Sequence, residues 1–363
     1  MEQQIYRDCR YLAKIFGQIG SRRVLLVCGR SFDRLAFRSI LEAISIPLVR
    51  FSDFSPNPQY EDVRKGVERF RTGKCDTILA VGGGSAIDTA KCIKLFCRMD
   101  PNSRYLEHEF EDTGIPLIAL PTTAGTGSES TRYAVIYYNG EKQSVSHPSI
   151  LPEYVILEPS ALEWLPLYQK KCTMLDALCQ GIEAWWSVNS TDESRELSRV
   201  AVTAIISNWR DYIERNDHAA AALIMEASNA SGRAINIAET TAAHAMSYKL
   251  TSLYGIAHGH AVACCLPEVW EYIAGYTDKC VDPRGSAYLR SVLAEISSCL
   301  DLTGFQALLK ELRMMPPVSG SKKTDLELLA RSVNPGRLRN NPVALDHETL
   351  YGMYERIVLA DEC

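Results

Sequence analysis

Residues 77–91, Thr77-Ile-Leu-Ala-Val-Gly-Gly-Gly-Ser-Ala-Ile-Asp-Thr-Ala-Lys91, decide the fold class of this chain. Residues 77–81 are a short apolar run, the pattern of a strand buried on both faces of a parallel sheet. The run leads directly into Gly82-Gly83-Gly84-Ser85, and residues 86–99 then read as a helix. Glycine at such a turn lets the backbone approach a ligand, and the start of the next helix favours phosphate. The turn is not the G-x-G-x-x-G fingerprint of the usual dinucleotide fold. Nor is it a Walker A loop, because Lys91 stands too far along.

The alternation continues on both sides. Residues 24–27 predict a strand ending at Gly29, 32–44 a helix, 47–51 a strand and 60–71 an amphipathic helix, with Ser55-Pro-Asn-Pro58 as a loop. Residues 115–120 predict a further strand, followed by a second turn of small residues, Pro121-Thr-Thr-Ala-Gly-Thr-Gly-Ser128. Two such turns at the carboxyl ends of strands point to a nucleotide site. Strand–helix alternation implies an α/β domain with a parallel, Rossmann-like sheet wound on both faces. From Pro166 onward the pattern is helical, with helices predicted over 175–186, 193–208, 219–251 and 287–300. The boundary falls between Pro159 and Pro166, dividing the chain into 1–162 and an all-α domain, 163–363.

Composition narrows the function. The 363 residues carry a net charge of −5, which argues against a nucleic-acid groove as the main surface. No apolar stretch is long enough to span a membrane. The opening MEQQIYRDCRYLAKIFG lacks the apolar core of a signal peptide. The twelve cysteines are scattered without a C-x-x-C pair. Reduced thiols in a cytoplasm are the expectation.

Two segments of the helical half carry ligand-type side chains: TMLDALCQGIEAWWS, 173–187, and AETTAAHAMSYKLTSLYGIAHGHAV, 238–262. Only seven histidines occur in the chain, and three lie in the second segment. Asp176 and Gln180 are four apart and share a helix face. With His244 and His258 they offer a carboxylate, an amide oxygen and two imidazoles, a ligand set for Zn²⁺ or Fe²⁺. The alternative is that Asp176 caps or pairs and the histidines are ordinary core or surface residues.

The motifs GGGSAIDTAK and PTTAGTGSE, with the segments around Asp176, His244 and His258, resemble the iron-containing (group III) alcohol dehydrogenases. That family shares its fold with glycerol dehydrogenase and dehydroquinate synthase. The resemblance covers about 24–267, with the motifs in the family's order. It implies a nicotinamide dinucleotide, NAD(P)H. Gly83, Gly84 and Ser85 would contact the pyrophosphate, with Asp88 nearby. Thr122, Thr123, Thr126 and Ser128 would line the rest. It also implies one divalent metal, Fe²⁺ or Zn²⁺, with Asp176, His244 and His258 as ligands. Domain 1–162 would then bind the dinucleotide and 163–363 the metal. Family members are often homodimers or larger homo-oligomers.

Departures from the pattern sharpen the expectation. Most members have His where this chain has Gln180, a weaker ligand, so zinc becomes at least as good a candidate as iron. Where a second helix histidine often stands, this chain has Tyr248, leaving Tyr248 or His260 to relay a proton. Many NAD-specific members carry an acid just after the first strand; here the turn is Cys28-Gly29-Arg30-Ser31, and Arg30 and Ser31 suit a 2′-phosphate. NADPH is therefore expected to be accepted.

Within the family, DALCQGIEAWWSVNSTDES and KQSVSHPSILPEYVILEP look most like the phosphonoacetaldehyde reductases, which resemble this chain in carrying Gln at the fourth ligand position. A phosphonate needs cationic partners, and Arg132, Lys142 and Lys249 are the candidates. Trp185, Trp186 and Asn189 would shape a pocket wall or simply pack. The expected reaction is metal-dependent hydride transfer to a small aldehyde. The alternatives are a broad primary alcohol dehydrogenase, a sugar-phosphate cyclase of the dehydroquinate synthase type, or a metal-free regulatory protein with a degenerate site.

Overall fold

The computed structural model describes residues 3–316 and 323–359; Cys363 lies outside them. The chain forms two compact units. One holds the residues up to Leu165 together with Asn216–Asn229; the other holds Pro166–Arg215 and the residues from Ala230 onward.

The first unit runs β1 (Gln4–Tyr6), α1 (Leu12–Ile19), β2 (Val24–Cys28), α2 (Arg38–Glu42), β3 (Leu48–Phe51), α3 (Tyr60–Thr72), β4 (Thr77–Gly82), α4 (Gly84–Phe96), β5 (Leu117–Pro121), β6 (Tyr133–Tyr138), β7 (Glu141–Ser146) and β8 (Tyr154–Ile156). Six strands make one sheet in the order β1-β8-β5-β4-β2-β3, every neighbouring pair parallel. Leu25 and Val27 of β2, Ile78 and Ala80 of β4, and Leu117 and Ala119 of β5 enter one core with Val63 and Val67 of α3 and Ile93 of α4. Their neighbours Leu26, Leu79 and Ile118 are buried as well, so these strands are covered on both faces. Each Leu, Ile or Val side chain so removed from water contributes about 1.5–3 kcal/mol. The apolar runs of the sequence are the direct imprint of that double burial.

Strand β2 sits between β3 and β4, so the chain leaves it in opposite directions. This order has its switch point at the carboxyl ends of β2 and β4, where ligands bind in open α/β sheets. The turns beginning at Gly29 and at Gly83 both stand there.

Two expectations for this unit change. The helix predicted over 32–44 is instead a 3₁₀ turn, Arg30–Arg34, and the short α2, separated by an extended Leu35. Phe32, Leu35, Phe37 and Leu41 are all buried, and their spacing does not fit one helical stripe. The second change is the antiparallel hairpin β6–β7, not anticipated from apolar runs. Its turn is Asn139-Gly140, with φ of 51° and 78°, the geometry of a tight type I′ hairpin.

In the second half, α5 (Leu167–Trp186), α6 (Asp192–Glu214), α7 (His218–Ala238), α8 (Ala242–Tyr254), α9 (His258–Gly275), α10 (Ser286–Cys299), α11 (Leu302–Leu312), α12 (Lys323–Ser332) and α13 (His347–Val358) follow one another. The single helix predicted over 219–251 is two helices, α7 and α8. The break has a local mark, Glu239 at φ 59°. Its cause is a buried carboxylate on α5, described below. Among the described residues no single helix is long and apolar enough to cross a membrane.

Candidate active site

In the helical unit, Asp176 on α5, His244 on α8 and His258 at the first position of α9 come together, with one ligand atom from each lying within 4.8 Å of the others. His244 Nε2 is 3.4 Å and His258 Nε2 3.9 Å from Asp176 Oδ1. The Asp176 and His244 side chains are 4% and 5% exposed, His258 36%, so the group opens on the His258 side. Ser247 Oγ lies 3.3 Å from His258 Nδ1, and the Tyr248 ring stacks on the His258 imidazole at 5.6 Å and 10°.

Gly259 makes this approach achievable. A Cβ at that position would overlap the Cys172 carbonyl oxygen and come within 2.8 Å of the Asp176 Cβ. Only glycine lets α9 start this close to α5.

Glu183, one helical turn beyond Gln180, is fully buried and was not singled out from the sequence. Its Oε1 accepts hydrogen bonds from Thr241 N (3.1 Å), Thr241 Oγ1 (2.8 Å), Ala243 N (3.0 Å) and His244 N (3.3 Å). Its Oε2 accepts from His244 Nδ1. The carboxylate thus caps the start of α8, which explains why the chain stops one helix and begins another there. The signal was in the sequence: Asp176, Gln180 and Glu183 follow the i, i+4, i+7 register of one helix face.

The donor set fits a divalent cation such as Zn²⁺ or Fe²⁺. A carboxylate and two imidazoles converge, and His244 Nε2 is buried with no hydrogen-bond partner. Two buried carboxylates, Asp176 and Glu183, also favour a positive charge among them. The His244 imidazole registers that field. Burial acts to lower its pKa, but Glu183 and Asp176 outweigh burial and raise it to about 9.

Gln180 is buried on the same helix, and its Oε1 accepts from Ser231 Oγ at 3.4 Å. His260 does not join the group. Its Nε2 donates to Met315 O at 2.8 Å, and its Nδ1 accepts from Tyr168 OH at 3.1 Å. Both nitrogens are thus engaged, tying α9 to the Met315 backbone and the Tyr168 side chain. Trp185 and Trp186 are buried and bond Glu295 and Thr241 respectively, a packing role. A second acidic group, Asp8, Cys9 and Glu158, is held by its own partners: Arg10 on Asp8, and Ser160 with the Cys9 amide on Glu158.

In the first unit, Gly82 at the end of β4 and Pro121 at the end of β5 are paired in register, so the two small-residue turns lie side by side. Thr122 N donates to Gly82 O at 3.0 Å. A Cβ on Gly83 would lie 3.2 Å from Thr123, and one on Gly84 3.0 Å from Thr126. Gly83 caps α4, so the positive end of that helix begins directly after β4. Ser85 Oγ donates to Pro56 O in the loop after β3. Asp88 is tied inward: Ser128 Oγ and Val135 N donate to its two oxygens. Asp88, through Ser128 and Val135, therefore holds the two turns together.

Lys91 completes this brace. It is fully buried, and its Nζ donates to Thr131 O (2.8 Å), Thr131 Oγ1 (3.1 Å) and Tyr133 O (2.6 Å). At the end of β2, Arg30 and Ser31 are exposed after Gly29. The same turn also brings an acid, Asp33, which Arg50 grips with two bonds of 2.8 and 3.1 Å. Arg132 lies 5.1 Å over the Tyr133 ring, Lys142 faces Tyr137 across the hairpin, and Lys249 stands on α8.

Residues 6–159 match the iron-containing alcohol dehydrogenase family, and residues 171–358 match the C-terminal part of the Fe-containing alcohol dehydrogenase family. The chain belongs to the iron-containing alcohol dehydrogenase family. It is an oxidoreductase that interconverts an alcohol and an aldehyde with a nicotinamide cofactor. It is 32% identical over 315 residues to the phosphonoacetaldehyde reductase of Streptomyces viridochromogenes, covering 81% of this chain and 80% of that one. It is 30% identical to long-chain-alcohol dehydrogenase 1 of Geobacillus thermodenitrificans, over 70% of this chain and 67% of the other. Among solved structures, the sulfoacetaldehyde reductase of Bifidobacterium kashiwanohense in complex with NAD⁺ superposes with a TM-score of 0.88 at 25% identity, covering 99% of this chain and 98% of that one.

Proposed function

We propose that this chain reduces a small aldehyde bearing an oxyanion, phosphonoacetaldehyde to 2-hydroxyethylphosphonate, with NADPH accepted alongside NADH. The convergence of Asp176, His244 and His258 carries the reading, since these three side chains would hold one divalent metal. The substrate is supported by two relatives whose names specify acetaldehydes with an acidic substituent, one phosphono and one sulfo.

When bound, the metal supplies Lewis acidity to the carbonyl oxygen and the nicotinamide supplies the hydride. The protein's own residues do the rest. Gly83, Gly84, Thr122, Thr123 and Thr126 bind and orient the dinucleotide at the strand ends. Arg30 and Ser31 receive a 2′-phosphate, while the bonds from Arg50 to Asp33 weaken that carboxylate's repulsion of it. Asp176 and His244 fix the ligand cluster in a dry interior, and the half-exposed His258 marks the side open to substrate. Tyr248 holds the His258 ring plane and offers a hydroxyl from which the product oxygen takes its proton. Arg132, Lys142 and Lys249 are the candidates to pair with the substrate oxyanion.

The test is an NADPH-oxidation panel: phosphonoacetaldehyde, uncharged aldehydes, glycerol-type ketones and succinic semialdehyde. A preference in kcat/KM for phosphonoacetaldehyde of about tenfold or more, with one NADPH consumed per aldehyde, is expected. Equal rates on uncharged aldehydes would end the phosphonate assignment, and turnover without net NADPH loss would favour a cyclase.

A further inference from the structure

We propose that Glu183 is the positioning residue of the metal centre: it fixes the tautomer and ring plane of His244 so that Nε2 faces the metal. The inference rests on the metal reading above and adds a role for a residue outside the ligand set.

The argument starts from what a carboxylate can do. Ionised, it accepts hydrogen bonds and donates none. Glu183 Oε2 bonds His244 Nδ1, so Nδ1 carries the proton and the lone pair of the metal-binding tautomer is on Nε2. Nε2 is the atom 3.4 Å from Asp176 Oδ1, buried and without a hydrogen bond. The other oxygen, Oε1, is locked by Thr241 N, Thr241 Oγ1, Ala243 N and His244 N. Glu183 cannot turn away without stripping acceptors from the first turn of α8. The same carboxylate thus places the backbone that carries His244 and the ring that ends it.

Glu183→Gln tests this with little change in shape. The amide has one oxygen and one nitrogen. The donors at the start of α8 require the oxygen, which leaves the NH₂ group facing His244 Nδ1. Nδ1 must then accept, and the ring proton moves to Nε2, where it blocks ligation. The cap survives while the ligand is lost.

The experiment titrates Zn²⁺ into the chelator-stripped full-length protein against a chromophoric competitor, with circular dichroism and a thermal melt of each protein. The expected result is one tight site in the wild type and a 10–100-fold weaker one in Glu183→Gln, with unchanged helicity. Equal affinity in the two overturns the proposal and leaves the metal reading intact. No binding by the wild type overturns the metal reading, and this proposal with it. Should the variant not fold, nitrogen-15 spectra of the histidine-labelled, zinc-loaded wild type decide. A proton on Nδ1 of His244 with Nε2 on zinc supports the proposal, and the reverse tautomer overturns it.

Discussion

Gly259 packs against Asp176 so tightly that a Cβ on the glycine would come within 2.8 Å of the Asp176 Cβ. The nearest obstacle is backbone, the Cys172 carbonyl oxygen, which cannot swing aside as a flexible side chain can. Gly259→Ala must therefore push α9 away from α5 and take His258 with it. The expected cost is about 1–3 kcal/mol of overpacking strain. Bound metal should fall in parallel. Urea melts and metal analysis of the purified variant check both, and a variant with wild-type metal content would show that the helices need not meet this closely.

Asp176 is the only carboxylate in the converging group. Asp176→Ala should abolish metal retention and turnover together, by a factor of at least about a thousand in kcat/KM, the loss of roughly 4 kcal/mol of transition-state stabilisation. Elemental analysis after dialysis and an NADPH assay measure the two effects. Full activity surviving both the substitution and chelation would show that the reaction needs no metal here.

Gln180 stands one turn after Asp176 on α5 and is buried. An imidazole binds Zn²⁺ or Fe²⁺ better than an amide oxygen. Gln180→His should tighten metal binding by about tenfold, read by chelator competition. An unchanged affinity would place position 180 outside the ligand sphere, with Ser231 as its structural partner.

Strands β2, β4 and β5 and the glycine turns were legible because a strand buried on both faces leaves a continuous apolar run, and only small residues fit where two turns come close, as Gly83 and Thr123 do. The three-residue strands β1 and β8 are too short to leave such a run and were not anticipated. His244 and His258 were legible because the chain has only seven histidines, and Asp176 because it shares a helix face with Gln180 four residues on. The hairpin carried its own signals, the apolar run Tyr133–Tyr138 and the turn Asn139-Gly140, but its second strand, Glu141–Ser146, is polar and mostly unburied, so no paired apolar run marks it as a hairpin. The break between α7 and α8 was not legible from local pattern. It is imposed by Glu183, 58 residues away from Thr241. His260 shows the same limit. Its partners Tyr168 and Met315 are 92 and 55 residues distant, and nothing near position 260 announces either bond.

Lys91 links α4 to the segment after the second turn through Thr131 and Tyr133. Its burial lowers its pKa to about 8, against the pull of Asp88 and Glu129, so the ammonium is held at a cost that its three acceptors offset. Lys91→Met would leave two buried carbonyls short of a donor and Asp88 without its countercharge. A loss of about 3–5 kcal/mol is expected in denaturant melts. In enzyme that still folds, the KM for NADPH should rise more than kcat falls. A fall in kcat alone would show that the brace does not shape a cofactor site at these turns.

The cysteines allow a prediction about reactivity. The eleven described cysteines are free, and nine of them are buried. Burial raises Cys172 and Cys75 to about 11 and Cys9 and Cys264 to about 12. Burial also raises Cys28, Cys92, Cys97, Cys179 and Cys265. The thiolate is the nucleophile, so at pH 8 a thiol of pKa 11 is about a thousandfold depleted in its reactive form, before access is considered. Cys280 and Cys299 are the partly exposed pair. In a Cys363→Ser variant, a disulfide reagent at pH 8 should modify two thiols quickly in native protein and all eleven in denaturant. Peptide mapping identifies the two. Rapid native labelling of Cys172, which sits one turn before Asp176, would mean that α5 and α9 open on the timescale of the assay and that the interior around Asp176 is not dry.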